Sequence, residues 1–225
     1  MGAQAAAGAG KPLLESGDQL SRDEFERRYQ LMPELKKAEL IEGTVFIPSP
    51  IRANRHAGPH ALLAAWLATY ASETPEVKCF DNPTVRLDLD NEPQPDLVLM
   101  KLPSKGGQAR ISADDCIEGA PEFVVEIVGS SRAYDLHQKK DAYRRNGVTE
   151  YLAWITDEDR LVWWEIQAGD YRELTTDSDG LLKSRVFPGL WLASPALLKG
   201  DLKSVLAALR HGLKSSSHQT FVSKL

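Results

Sequence analysis

Hydrophobic and polar positions along the chain follow two rhythms, and where one gives way to the other marks the elements. Residues 38–47 (AELIEGTVFI) alternate with a period of two, turn at Gly43, and stop at Pro48-Ser49-Pro50, which predicts strand structure. Residues 77–80, 84–89 and 96–100 read as further strands, separated by the turn clusters Asp81-Asn82-Pro83 and 90–95 (DNEPQP). Residues 122–128 (EFVVEIV) form the most hydrophobic strand, and three more are expected over 151–156, 161–167 and 171–175. Helical spacing appears elsewhere. Ser21-Arg22-Asp23-Glu24 has the form of a capping box opening a short helix to about Tyr29. A longer helix is expected over 56–71, with Pro59 tolerated in its first turn. A charged helix spans 134–146 and ends at Gly147, suited to a left-handed C-cap. Ser130 and Ser131 read as caps of that helix, and a terminal helix falls within 195–210. Residues 101–120 form a polar loop long enough to suggest a flexible flap. Clustered strands interrupted by one helix give a mixed α+β pattern with no internal repeat.

Composition narrows the class. The 225 residues carry 27 Lys+Arg and 32 Asp+Glu, a formal charge of −5, and 42% are hydrophobic, as in a globular protein with one good core. The acidic balance argues against a general nucleic-acid coat but leaves room for a local basic patch. No apolar run approaches the ~18 residues of a membrane span, so no membrane partner is expected. The Ala/Gly-rich opening lacks the basic and Leu-rich regions of an export signal. Cys79 and Cys116 are far apart and outside any C-x-x-C, which fits a reducing cytoplasm. The expected organisation is a disordered tail over 1–17, one domain over 18–212 and a flexible tail over 213–225.

Within the strand 122–128 both alternating faces are apolar, so Glu126 sits among buried neighbours. A buried carboxylate needs a partner or a proton, and a Lys or Arg salt bridge is the plain solution. Asp96 adds a second. If the strand at 96–100 pairs antiparallel with 122–128 so that Met100 faces Glu122, Asp96 faces Glu126. Their Cβ atoms would then lie roughly 4.5–5.5 Å apart on one face. A slip of one residue would separate them. Two carboxylates so placed suit a divalent cation: Mg²⁺ is held by one or two carboxylates with waters and phosphate oxygens. The next helix offers Lys139 and Lys140, each about 50° from the centre of the stripe defined by Leu136 and Tyr143, so periodicity does not choose between them. Asp135, Lys139 and Tyr143 do form an i, i+4, i+8 row. The segment 130–146 sets Arg132, Lys139, Lys140, Arg144 and Arg145 against Asp135 and Asp141, a basic surface able to contact phosphates. His56 and His60 have i, i+4 spacing but no intervening Glu, and Pro59 disturbs the turn, which argues against zinc. His56 remains a candidate to touch substrate or phosphate at a helix start.

Several segments occur in a telling order: Gln94-Pro95-Asp96-Leu97-Val98, Pro121 followed by 122–128, Tyr134-Asp135-Leu136-His137-Gln138-Lys139, Tyr143-Arg144-Arg145, and Gly147-Val148-Thr149-Glu150-Tyr151-Leu152. With Glu39-Leu40-Ile41-Glu42-Gly43 and His56 after Ser49-Pro50, they resemble the Uma-two family of restriction-endonuclease-like proteins, a branch of the PD-(D/E)XK nuclease superfamily. The similarity runs from about residue 35 to 210. It implies a central mixed sheet flanked by helices, with an extra C-terminal β-meander, and Mg²⁺-dependent hydrolysis of DNA with Mn²⁺ as substitute. It implies Asp96 and Glu126 as metal-binding acids, with the Ile127 carbonyl as a further ligand, and Lys139 as the catalytic lysine. The usual E-x-K pattern would put lysine at 128, where this chain has Val128; the family supplies it from the following helix. Glu39, on the apolar face of its strand by alternation, is the third acid, either completing the metal shell or fixing a loop through hydrogen bonds. His56, Lys140 and Arg144 are the expected substrate contacts. Double-strand cleavage would suit a homodimer, and adjacent Trp163 and Trp164 leave one ring to cover. The rival expectation is a non-catalytic module that binds nucleic acid or protein, and a fainter one is a small-molecule hydrolase using the same acids.

Overall fold

The computed structural model describes residues 13–48, 52–129 and 134–225. The capping role expected of Ser130 and Ser131, and most of the expected N-terminal tail, lie outside them. Leu14, within that expected tail, is buried against Phe25 and Leu40.

The centre is a six-stranded mixed sheet. In chain order the strands and helices begin α1 (Arg22–Tyr29), β1 (Glu39–Ile41), β2 (Thr44–Phe46), α2 (Gly58–Ser72), β3 (Val77–Asp81), β4 (Val85–Arg86), β5 (Leu97–Lys101), β6 (Arg110–Ile111), β7 (Ile117–Glu118) and β8 (Phe123–Val128). They continue with α3 (Lys140–Asn146), β9 (Glu150–Ile155), β10 (Arg160–Gln167), β11 (Asp170–Glu173), β12 (Leu182–Lys183), β13 (Trp191–Leu192), α4 (Ser194–Leu198), α5 (Leu202–Leu213) and α6 (Ser216–Val222). The order across the sheet is β11-β10-β9-β8-β5-β3. Within this sheet β8 and β9 pair in parallel, joined by the crossover that contains α3, and its other pairings are antiparallel. The expected meander is β9-β10-β11, continuous with the central sheet.

Both faces of β8 and β9 are covered, so every residue of each is buried. Phe123, Val125 and Ile127 pack with Leu63, Trp66 and Leu67 of α2. Val124 and Val128 face the other way, with Tyr143 of α3 and Tyr151. Glu126 belongs to this second face. The hairpin β1–β2 turns through Glu42 and Gly43, both at positive φ (52° and 69°), the conformation of a type I′ turn.

Four expectations need correction. The segment 101–120 is no free flap: it holds β6 and β7, which join β4 in a small sheet, and Glu122 accepts hydrogen bonds from Lys101 N and Gln108 N at 3.0 and 2.9 Å. The residues after 213 are no tail. Ser215 caps α6, His218 is buried with Nδ1 2.9 Å from Pro188 O, and Phe221 packs on Phe187. The Ser run that suggested a tail is a helix start. Ser21 makes no side-chain cap bond, and the Glu24 carboxylate pairs with Arg27 and Arg28 rather than reaching back to the cap. Finally, neither adjacent tryptophan leaves an open apolar face. Trp163 is wholly buried, and Trp164 stacks on Tyr151 with Lys140 over its ring.

Candidate active site

The pairs Leu97↔Val125, Val98↔Val124 and Leu99↔Phe123 set the register of β5 against β8. One step further along it sets Asp96 across from Glu126, as expected from the sequence. Both side chains line one cleft of about 1160 Å³, together with Glu39, Ile127, His56, Asp135 and Lys139. The topology therefore gathers the predicted acids, the lysine and the histidine in one place.

Asp96 is nearly inaccessible. Its Oδ2 accepts the Ile127 amide at 2.6 Å, while Oδ1 lies 3.2 Å from His56 Nε2 and 3.9 Å from Lys37 Nζ. Burial by itself would raise its pKa, but the His56 contact, the Lys37 charge and the Ile127 amide outweigh it and hold the carboxyl below its ordinary value. His60 does not reach the cleft. Its Nε2 sits 3.0 Å from Asp81 Oδ1 and 3.2 Å from Asp96 O, bracing the backbone at the start of β5.

Glu126 has different company. Its Oε1 accepts from the Tyr143 hydroxyl at 2.7 Å and from Lys139 Nζ at 2.7 Å. Burial pushes its pKa up to about 8 against the pull of Lys139, with Asp96, Asp135 and Glu39 adding to the rise. Lys139 is also fully enclosed. Desolvation would strip its proton, but Glu126 and Glu39 hold its pKa well above the ordinary lysine value, so it remains an ammonium. Nζ lies 2.9 Å from Glu39 Oε1 and 3.6 Å from Asp135 Oδ1.

Glu39 is buried, as alternation suggested, although for a different reason. Alternation carried through Gly43 puts Glu39 on the face of Val45, whereas the two-residue turn sets Glu39 opposite Phe46 and Leu40 opposite Val45. Its Oε1 accepts from Gln94 N at 2.7 Å as well as from Lys139, and Oε2 faces the Tyr134 hydroxyl at 3.4 Å. Glu39 thus fastens the turn that precedes Asp96.

The choice between Lys139 and Lys140 is made by a local irregularity. Tyr134–Lys139 is π-helical rather than α-helical. The wider turn shifts the phase so that Asp135, Lys139 and Tyr143 are buried while Leu136 is only half-buried. Lys140 and Arg144 consequently do not line the cleft. Lys140 Nζ lies 4.1 Å over the Trp164 ring, and Arg144 donates to Gly169 O at 3.0 Å. The cations that do line it, missed in the sequence, are Lys36, Lys37, Arg52 and Arg55. The Lys36-Lys37 pair just before Glu39 was the available signal.

A family model, Uma2, described as "Putative restriction endonuclease", matches residues 22–195. The chain belongs to the Uma2 family. The match contains Glu39, Asp96, Glu126 and Lys139 and stops before α5. A search among curated proteins finds no match. A crystal structure described as "a putative nuclease belonging to DUF820" from Anabaena variabilis ATCC 29413 superposes with a TM-score of 0.55 at 13% identity. The alignment covers 81% of this Uma2 chain and 97% of that one, which shows a shared fold.

Proposed function

We propose that this Uma2 protein is a divalent-metal-dependent nuclease that hydrolyses phosphodiester bonds of DNA in the cleft. The observation that carries the reading is the presentation of Asp96 and Glu126 by neighbouring strands to one cleft, with the ammonium of Lys139 buried beside them.

The residues fit a hard divalent cation. Four carboxylates, Glu39, Asp96, Glu126 and Asp135, converge on the cleft, and Lys36, Lys37, Arg52, Arg55 and Lys139 line it with them. Among the described residues Glu126 accepts no backbone amide, and burial raises its pKa, which a cation bound beside it would lower. Among the described residues no three His, Cys, Asp or Glu side chains form a ready-made cage. Mg²⁺ needs only one or two protein carboxylates, since waters and phosphate oxygens complete its shell, and Mn²⁺ is a substitute. Asp96, Glu126 and the Ile127 carbonyl are the ligands we assign. When bound, such an ion polarises the phosphate and lowers the pKa of attacking water.

The chain's own residues do the rest. The Ile127 amide and His56 fix the Asp96 carboxylate, and Tyr143 fixes that of Glu126. Lys139 offsets negative charge that grows on the phosphate during attack. Lys36, Lys37 and Arg52 take the roles of phosphate contacts first given to Lys140 and Arg144. Cutting both strands of a duplex calls for two such sites, the ground for a homodimer. Free thiols at Cys79 and Cys116 suit the cytoplasm.

A second reading rests on the clamp around Lys139, only 2% exposed between Glu39 and Glu126, and on Val128 at the usual lysine position. In that reading the module binds nucleic acid without cutting it. Calorimetry with Mn²⁺, paired with a DNA cleavage assay, separates the two. We expect metal binding and cleavage in the native protein and neither in Asp96→Asn, which keeps an acceptor for Ile127 N. DNA binding without metal-dependent cleavage, with equal Mn²⁺ heats in both proteins, would replace the first reading with the second.

A further inference from the structure

The cleft has two unlike walls. Phe46, at the end of β2, and Tyr134, at the start of the π-turn, bring their rings to 3.9 Å between centroids at an interplanar angle of 33°. Both line the cleft, both are only half-buried, and Pro48 beside them is exposed. Tyr134 is anchored, since its hydroxyl faces Glu39 and its ring lies 5.4 Å from Lys139 Nζ. Lys36, Lys37 and Arg52 supply positive charge to the same cleft.

Cations alone suffice to grip a sugar–phosphate backbone. An aromatic pair does nothing for that task and costs free energy while it stays wet. In a duplex, base faces are hidden in the stack, and only edges show in the grooves. A base outside the stack offers a π-face, which aromatic side chains bind with little regard to sequence. The size agrees: about 1160 Å³ is on the scale of pockets for small ligands, enough for a few nucleotides.

We propose that Phe46 and Tyr134 form a base-stacking subsite beside the acids, so that DNA enters as a single strand or as an unpaired stretch of a duplex. Phosphates lie along Lys36, Lys37 and Arg52, and a base covers the rings. The inference rests on the nuclease reading for its substrate, but it stands or falls on binding alone.

The test is fluorescence anisotropy with the full chain carrying Asp96→Asn and no divalent ion. The probes are a labelled oligothymidine and a blunt duplex of equal length. The single strand is expected to bind about tenfold more tightly than the duplex. Phe46→Leu, which keeps apolar volume without a π-face, is expected to lose about tenfold on the single strand and less than about twofold on the duplex. Phe46→Trp is expected to restore the single-strand affinity. Equal or tighter duplex binding, equal losses on both probes, or a Trp variant no better than Leu would overturn the subsite. Absence of metal-dependent cleavage in the native protein, with these binding differences intact, would remove the nuclease reading and leave the stacking subsite standing.

Discussion

Glu122, just before β8, and Glu126 within it sit four residues apart, and both are buried, at 1% and 3% exposure. They are nevertheless opposites. Glu122 spends its two oxygens on main-chain amides, Lys101 N and Gln108 N, and so stitches the segment after β5 to the sheet. Glu126 takes its bonds from side chains, Tyr143 and Lys139, with the acids Asp96, Asp135 and Glu39 close enough to raise its pKa. Main-chain donors are fixed and neutral, and they complete a carboxylate for structural purposes. Side-chain donors can move, and among neighbouring acids they are the arrangement that the proposed metal site needs. Burial alone does not separate these roles; the identity of the donors does.

The strongest way to break that contrast is to remove each acid in turn. Glu126→Gln is expected to cut metal-dependent DNA cleavage about a thousandfold, with the melting temperature little changed. Glu122→Ala should do the reverse. It strands two buried amides at about 1–3 kcal/mol each, which lowers the melting temperature by about 5–15 °C, while cleavage at 25 °C stays within about threefold. Cleavage rates and thermal melts on the same preparations decide it. If Glu122→Ala abolished cleavage in folded protein, the distinction would be lost.

Tyr143 offers a finer cut. Its hydroxyl holds Glu126 Oε1 at 2.7 Å from a fully buried ring. Tyr143→Phe removes the bond and keeps the ring. Partners that orient metal ligands are typically worth 10–100-fold, so Mn²⁺ affinity by calorimetry should fall by about that factor. Unchanged affinity would make Tyr143 a packing residue only.

Much of this was legible because local rules and topology agree at the centre of the sheet. Glu126 stood out as the one charge inside an apolar run, and pairing across a single connection set Asp96 opposite it. Most of the misreadings depended on contacts between segments distant in sequence. The amides that Glu122 binds cannot be seen in the polar segment 101–120, so it read as a flap. The phase of the helix carrying Lys139 and Lys140 is altered by a π-turn, which a 100° step does not anticipate. Lys36 and Arg52 reach the cleft only because β1–β2 and the start of α2 both converge on it. Ser215-Ser216-Ser217 suits a tail as well as a cap, and burial of His218 decides for the cap.

Glu150, at the first position of β9, extends the comparison to a third glutamate. It accepts from Arg185 N and Ser184 Oγ, both at 2.8 Å, and from Val186 N at 3.2 Å, the company of Glu122 rather than of Glu126. Burial outweighs those donors and pushes its pKa up to about 7 from 4.5. The folded state therefore holds the proton more tightly than the unfolded chain. The resulting stabilisation is whole below pH 4.5, declines as pH rises through about 7, and is absent above, amounting to about 3 kcal/mol at most. Melting curves from pH 4.5 to 7.5 should show the native protein losing a few degrees that Glu150→Gln does not lose, with cleavage within about twofold. Parallel pH profiles would show that Glu150 does not titrate in this range.

The smallest effect tests the same logic on the helix. Lys139 and Lys140 are neighbours in sequence, yet the first is enclosed by Glu39 and Glu126 and the second lies over Trp164. Arg144 faces the turn at Gly169 and Asp170. If placement at the cleft is what matters, Lys140→Ala and Arg144→Ala should each change DNA affinity and cleavage less than about twofold. Exposed cation–π and ion-pair contacts are worth about 1 kcal/mol or less, so any stability loss should be similarly slight. Lys36→Ala and Arg52→Ala should instead weaken DNA binding and flatten its dependence on salt, as expected when a phosphate contact is lost. Binding titrations across a range of salt concentrations distinguish the pairs. A steep salt dependence that falls with Lys140 or Arg144, and not with Lys36 or Arg52, would move the DNA from the cleft to the outer face of α3.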